Sequence, residues 1–110
     1  MGFDPHEPEQ RNRLGATMTD ADITVGGLWL RYFGMGGSAG EYEVNAYLQG
    51  LISLPVPQRD LLAMAANELV DESPEVITGE KHPLLAPYAD QLNGPAQLNG
   101  PASGDGPERA

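Results

Sequence analysis

The chain has 110 residues, six Lys or Arg against sixteen Asp or Glu, a net charge of −10, and no cysteine. That length holds one domain. The acid excess disfavours nucleic acid and anionic membrane as partners, and without cysteine there is neither a disulfide framework nor a thiolate metal site. No apolar run approaches the ~20 residues that span a bilayer. Met1–Pro5 has neither a basic nor an apolar start, so no secretory signal is expected and the expected location is the cytoplasm.

Residues 1–18 carry Pro5, Pro8 and several charges, with Phe3, Leu14 and Met18 scattered singly. Such a stretch offers little apolar surface to offset the entropy of ordering it, and it is expected to be a disordered tail. The helical domain is expected over residues 19–73. Its first helix spans about 19–35, because Val25, Leu28, Trp29, Tyr32 and Phe33 recur on one helical face. Thr19 or Asp20 is the expected cap, and Gly34, Gly36 and Gly37 the stop. Gly26 and Gly27 each weaken the first half by ~1 kcal/mol against Ala.

The second helix follows Ser38-Ala39-Gly40-Glu41, which reads as a capping box, and carries Val44, Tyr47, Leu48, Leu51 and Ile52 inward. Leu54-Pro55-Val56-Pro57 ends it, since each proline biases its predecessor to extended geometry. The third helix starts at Pro57 and turns Leu61, Leu62, Ala65, Ala66 and Leu69 inward, with Met64 and Val70 off that face. The reading is therefore all-α: a small three-helix domain between disordered N- and C-terminal tails. The core is expected to pack Leu28, Tyr32, Val44, Leu48, Leu51, Leu61, Ala65 and Leu69 together.

Residues 74–90 mix apolar residues with prolines and read as a partly ordered segment or linear motif. Residues 91–110 contain the tandem repeat Gln91-Leu92-Asn93-Gly94-Pro95-Ala96 and Gln97-Leu98-Asn99-Gly100-Pro101-Ala102. Two hexapeptides with Asn-Gly-Pro turns read as a duplicated, disordered linker, not a solenoid.

No constellation of residues points to chemistry. His6 and His82 stand at opposite ends with no second ligand at metal spacing. Glu41/Glu43 and Asp71/Glu72 are too close in sequence to face each other on a helix. Gly34-Met35-Gly36-Gly37-Ser38 precedes a helix but lacks the lysine of a phosphate loop and follows a helix, so it reads as a stop and a cap. A helix-turn-helix DNA reader is disfavoured, because residues 38–54 contain no Lys or Arg. No catalytic residue, cofactor or metal is expected, and the protein is read as a non-enzyme.

Leu28-Trp29-Leu30-Arg31-Tyr32-Phe33 with Gly36-Gly37, then Glu43-Val44-Asn45-Ala46-Tyr47-Leu48, then Ala65-Ala66-Asn67-Glu68, resembles small helical proteins of high-GC actinobacteria. Their pattern reads LWxRYF-x-x-GG, ExxAYLxG and AxNE. The resemblance covers about residues 25–72, implies one helical domain there, and carries over no activity or residue role.

The apolar residues in excess of a core point to function. With Leu28 at 0° on a helical wheel, Val25, Tyr32, Trp29 and Phe33 span about 0–140° and Leu30 falls near 200°. That is more apolar circumference than one packing face uses. Trp29, Leu30 and Phe33, joined by Tyr42 and Met64, are the candidate partner-binding residues for a protein partner or a second copy of the chain. The expected function is a protein–protein interaction or regulatory module. The alternatives are an acidic mimic of nucleic acid bound by a basic protein and, more weakly, a small metal-binding protein. A rival reading of the face has Leu84, Leu85 and Tyr88 folding back over it.

Overall fold

Helices account for the regular structure, and among the described residues there is no strand. The structure is a computed structural model that describes residues 4–92. In chain order it contains α1 (Glu7–Ala21), α2 (Val25–Gly34), α3 (Glu41–Leu48), α4 (Val56–Asp71), the single turn α5 (Pro74–Ile77) and a closing 3-10 turn (Ala89–Leu92). The fold is all-α, but among the described residues five helices replace the expected three. The readings of residues 1–3 and of the repeat from Asn93 onward lie outside the described residues.

The largest correction is α1, which occupies most of the expected N-terminal tail. Its buried residues are Glu7, Gln10, Leu14, Thr17 and Met18. They fall at helical spacing, but three of the five are polar, so a count of apolar positions passes over them. Pro8 stands in the first turn, where its missing N–H costs nothing. Asp4 accepts from the His6 N–H at 2.9 Å and fixes the entry into the helix. Because α1 claims Thr19 and Asp20, the cap of α2 moves to Thr24, whose Oγ1 accepts from Gly27 N at 3.0 Å.

Helices α1, α2 and α3 end by one device. In each, the second residue past the turn donates to a carbonyl five back and its predecessor donates three back. The pairs are Ile23→Met18 with Asp22→Thr19, Gly37→Tyr32 with Gly36→Phe33, and Leu51→Ala46 with Gly50→Tyr47. The pivots Asp22, Gly36 and Gly50 all have positive φ, as this Schellman arrangement requires. The pivot at Gly50 corrects the second expected helix: it stops at Leu48 and leaves Leu51 71 % exposed, outside the core.

The expected capping box at Ser38–Glu41 also shifts. Gly40 is the N-cap, and Glu43 reaches back to Gly40 N at 2.7 Å. The amides before it are taken elsewhere, Ser38 N by Gln58 Oε1 and Ala39 N by Tyr32 Oη. That loop crosses so close to Tyr32 that a side chain at Gly37 would overlap the ring.

Helix α4 is the hub, packing against α1, α2, α5 and the 3-10 turn, while α3 packs on α1 and α2. Contact on several sides explains why its buried set is Arg59, Leu62, Ala63, Ala65, Ala66 and Val70, wider than the expected stripe. Val70, expected off the face, is 2 % exposed. The alanines let neighbouring helices approach closely. Leu28, Tyr32, Val44, Tyr47 and Leu62 are fully buried, and Leu48 and Leu61 pack against that cluster.

The segment after α5 docks through its backbone. Asn67 clasps Ala86 twice, donating to its carbonyl at 3.0 Å and accepting from its N–H at 2.7 Å. Gln10 Nε2 donates to Pro87 O, and Asp60 Oδ1 accepts from both Gln10 and Ala89 N. Ala86 and Pro87 are buried, whereas Leu84 and Leu85 remain about half exposed.

Candidate functional site

Residues three apart on a helix share a face, so Leu30 and Phe33 project together from α2. They are 64 % and 57 % exposed. The Phe33 ring stacks on Trp29 with centroids 5.1 Å apart and planes 28° apart. Trp29 is itself half-buried, and its Nε1–H donates to Ala39 O at 3.0 Å. The indole is thus a fixed platform that orients Phe33, and Leu30 and Phe33 are the groups open to solvent.

The other two candidates belong to other helices. Tyr42, 83 % exposed, lies in the first turn of α3 and lines a shallow hollow with Val25, Glu41 and Asn45. Met64 is 41 % exposed on α4, away from the buried side marked by Leu62 and Ala66. Trp29, Leu30 and Phe33 form one patch; Tyr42 belongs to a different surface feature.

The flank of α2 toward α4 is closed by charge. Arg31 donates to Glu72 through both terminal nitrogens at 2.8 Å and to Glu68 at 3.1 Å. The hydrogen bonds from Arg31 hold the Glu72 carboxyl below its ordinary range and strengthen the protonation of the guanidinium. The segment carrying Leu84, Leu85 and Tyr88 goes to α4 and α1, through Asn67, Asp60 and Gln10.

A second polar constellation was invisible to the sequence reading. Arg59, 3 % exposed, donates from Nε to Gln10 at 2.9 Å and from Nη1 to Leu54 O at 3.1 Å. Its Nη2 pairs with Asp4, and Glu7 Oε1 lies 3.7 Å from Nη1. Glu7 in turn accepts from Leu54 N at 3.0 Å. The His6 amide, then the Arg59 guanidinium, hold the Asp4 carboxyl below its usual value. Every strong donor here faces an acceptor from the same chain, as a buried ion pair demands, and the cluster fastens α1 to the start of α4. Nearby, the Tyr47 hydroxyl is buried without a partner, and burial pushes its pKa up to about 12.

His6 stands at the N-cap position of α1 without a side-chain capping bond, and His82 is exposed in the segment before Ala86. Among the described residues, no group of three or more His, Asp or Glu side chains converges as a metal set would, and no helix is long and apolar enough to cross a membrane. Comparison of the chain with family models, curated proteins and solved structures finds no significant match. The functional reading therefore rests on geometry.

Proposed function

We propose that this protein is a small acidic, non-enzymatic protein–protein interaction module whose contact face is built on α2 by Leu30 and Phe33 over the Trp29 platform. The observation that carries the reading is their exposure at 64 % and 57 % on a helix whose other sides are occupied. Exposed apolar groups standing singly are common on soluble proteins. A paired aromatic and leucine, with the aromatic pre-oriented by a stacked tryptophan, is an arrangement suited to anchoring a partner, because rigid aromatic anchors lose little entropy on binding. Acidic groups around the domain would orient and accelerate the encounter more than tighten it.

The test is a pair of surface variants, Leu30→Glu and Phe33→Glu. Partners would be recovered from the native cell by crosslinking, and mass in solution would be read by sedimentation. Both variants are expected to keep the wild-type melting temperature and to lose one and the same association, with a partner or with a second copy. If mass and crosslinked partners are unchanged in both variants, α2 is not the contact face.

A further inference from the structure

Residues 82–88 form neither helix nor strand, yet the end of this segment lies in register along the cleft between α1 and α4. Asn67 Nδ2 donates to Ala86 O at 3.0 Å and its Oδ1 accepts from Ala86 N at 2.7 Å. Gln10 Nε2 donates to Pro87 O at 3.2 Å, and Asp60 Oδ1 accepts from Ala89 N at 2.8 Å. All four bonds go to main-chain groups. One side chain can reach both the N–H and the C=O of a residue only where the two point the same way, as in an extended chain and not in a helix. The spacing fits as well. Asp60 and Asn67 are two turns apart on α4, ~10.5 Å, and three extended residues cover ~10 Å.

The groups that read this backbone are held in place without it. Gln10 Oε1 accepts from Arg59 Nε at 2.9 Å, and Gln10 Nε2 also donates to Asp60 Oδ1 at 3.0 Å. Arg59 itself is buried. The cleft therefore carries a pre-organised row of donors and acceptors, the arrangement that lowers the entropy cost of binding. The segment that fills it contributes little through its own side chains. Ala86 and Pro87 are buried and Tyr88 packs in part against the core, but Leu84 and Leu85 are left about half exposed.

We propose that this cleft is a recognition site for an extended segment of a partner protein in which a small residue precedes proline, and that residues 84–89 are an intramolecular ligand which such a segment replaces. The chemistry of the occupant is read from the one in place. The position of Ala86 needs a small side chain and a free N–H for Asn67. The next position needs no N–H, so proline fits there and holds its predecessor extended. The position of Ala89 must offer an N–H to Asp60 and excludes proline. Main-chain bonds supply affinity in this mode and the small buried positions supply selectivity. A second copy of the chain is a poor occupant, because an exchange of segments makes no bond that each copy lacks.

The experiment uses the full chain and a labelled, end-blocked peptide with the sequence Leu-Leu-Ala-Pro-Tyr-Ala. Controls are a scrambled peptide and the same peptide methylated on the alanine nitrogen before proline. The segment of the chain itself competes at an effective concentration on the order of mM, so binding to the parent should be weak. Ala86→Arg cannot bury its side chain and should release the segment, and Ala89→Pro removes the N–H that Asp60 reads. The peptide is expected to bind the Ala86→Arg chain about tenfold or more tightly than the parent, and the Ala89→Pro chain by a smaller factor. On binding, the side-chain amide resonances of Asn67 and Gln10 should return toward their positions in the parent. Neither control should bind. A folded Ala86→Arg chain indifferent to the peptide, equal binding of the methylated or scrambled peptide, or shifts confined to Leu30 and Phe33 would each overturn the proposal. So would unfolding of both variants, which would make the segment an integral part of the fold, or dimerisation by segment exchange as the only response.

Discussion

Tyr32 and Tyr47 are both fully buried, yet removal of the hydroxyl is expected to change stability in opposite directions. The Tyr32 hydroxyl donates to Gln58 Oε1 and accepts from Ala39 N at 2.9 Å. In Tyr32→Phe the Ala39 amide loses its partner in a buried position, which costs ~1–3 kcal/mol, while Gln58 keeps Ser38 N. The Tyr47 hydroxyl has no partner. Tyr47→Phe removes a buried unsatisfied group without opening a cavity, so the variant should be unchanged or up to ~1 kcal/mol more stable. Urea unfolding at constant m reads both changes as shifts in midpoint.

The pH dependence sharpens the contrast. Burial raises the Tyr47 pKa to about 12, above the ~10 of the unfolded chain. The stability linked to that proton is fully present below ~10 and is lost as pH rises through about 12. The advantage of Tyr47→Phe over the parent should therefore widen above pH ~10. A Tyr47→Phe variant destabilised by more than ~1 kcal/mol at neutral pH would show that the hydroxyl is bonded, and would refute the reasoning.

Three further outcomes are expected. Arg59→Met strands Glu7 and Asp4 without their cation and should cost ~3–5 kcal/mol, with much of the loss recovered when Glu7→Gln and Asp4→Asn are added; chemical unfolding checks the set. The depressed Asp4 carboxyl contributes stability that is present above its unfolded value of about 3.8 and lost as pH falls through its lower folded value, so Asp4→Asn should flatten the acid limb of a pH–stability curve. Asn67→Ala removes both bonds to Ala86 and should raise hydrogen exchange at Ala86 and Ala89 by orders of magnitude while leaving the amides of α2 protected.

Periodicity revealed the parts of the fold whose buried faces are apolar. Leu28 and Tyr32 on α2, Val44 and Tyr47 on α3, and Leu62, Ala65 and Ala66 on α4 all lie where helical spacing puts them. It failed where burial is polar and paired at a distance. Glu7, Gln10 and Thr17 look like tail residues until Arg59 is brought against the first two, and nothing local announces that meeting. The recoverable signal was the spacing of Gln10, Leu14, Thr17 and Met18 with Pro8 at the helix start. The end marked by Gly36 was legible, whereas the stop at Gly50 was passed over and the one at Asp22, where no glycine stands, was misjudged. On the candidate face, Leu30 and Phe33 were readable as a surplus on one helix. The separation of Tyr42 from them depends on how α3 crosses α2, which a wheel for one helix does not contain.

The fastening of α1 has a kinetic consequence. Its anchoring bonds join residues 47 to 77 positions apart, from Glu7 with Leu54 to Gln10 with Pro87. Those that tie α2 to α4 span less, 26 positions for Tyr32 with Gln58 and 37 for Arg31 with Glu68. Since closing longer loops costs more entropy before any contact rewards it, α2, α3 and α4 should assemble first. The Asn67 clasp, spanning 19 positions, can form on that platform, and the most amino-terminal helix arrives last. Substitutions at Glu7 or Gln10 should then quicken unfolding and leave the refolding rate nearly untouched, whereas Leu62→Ala should slow refolding.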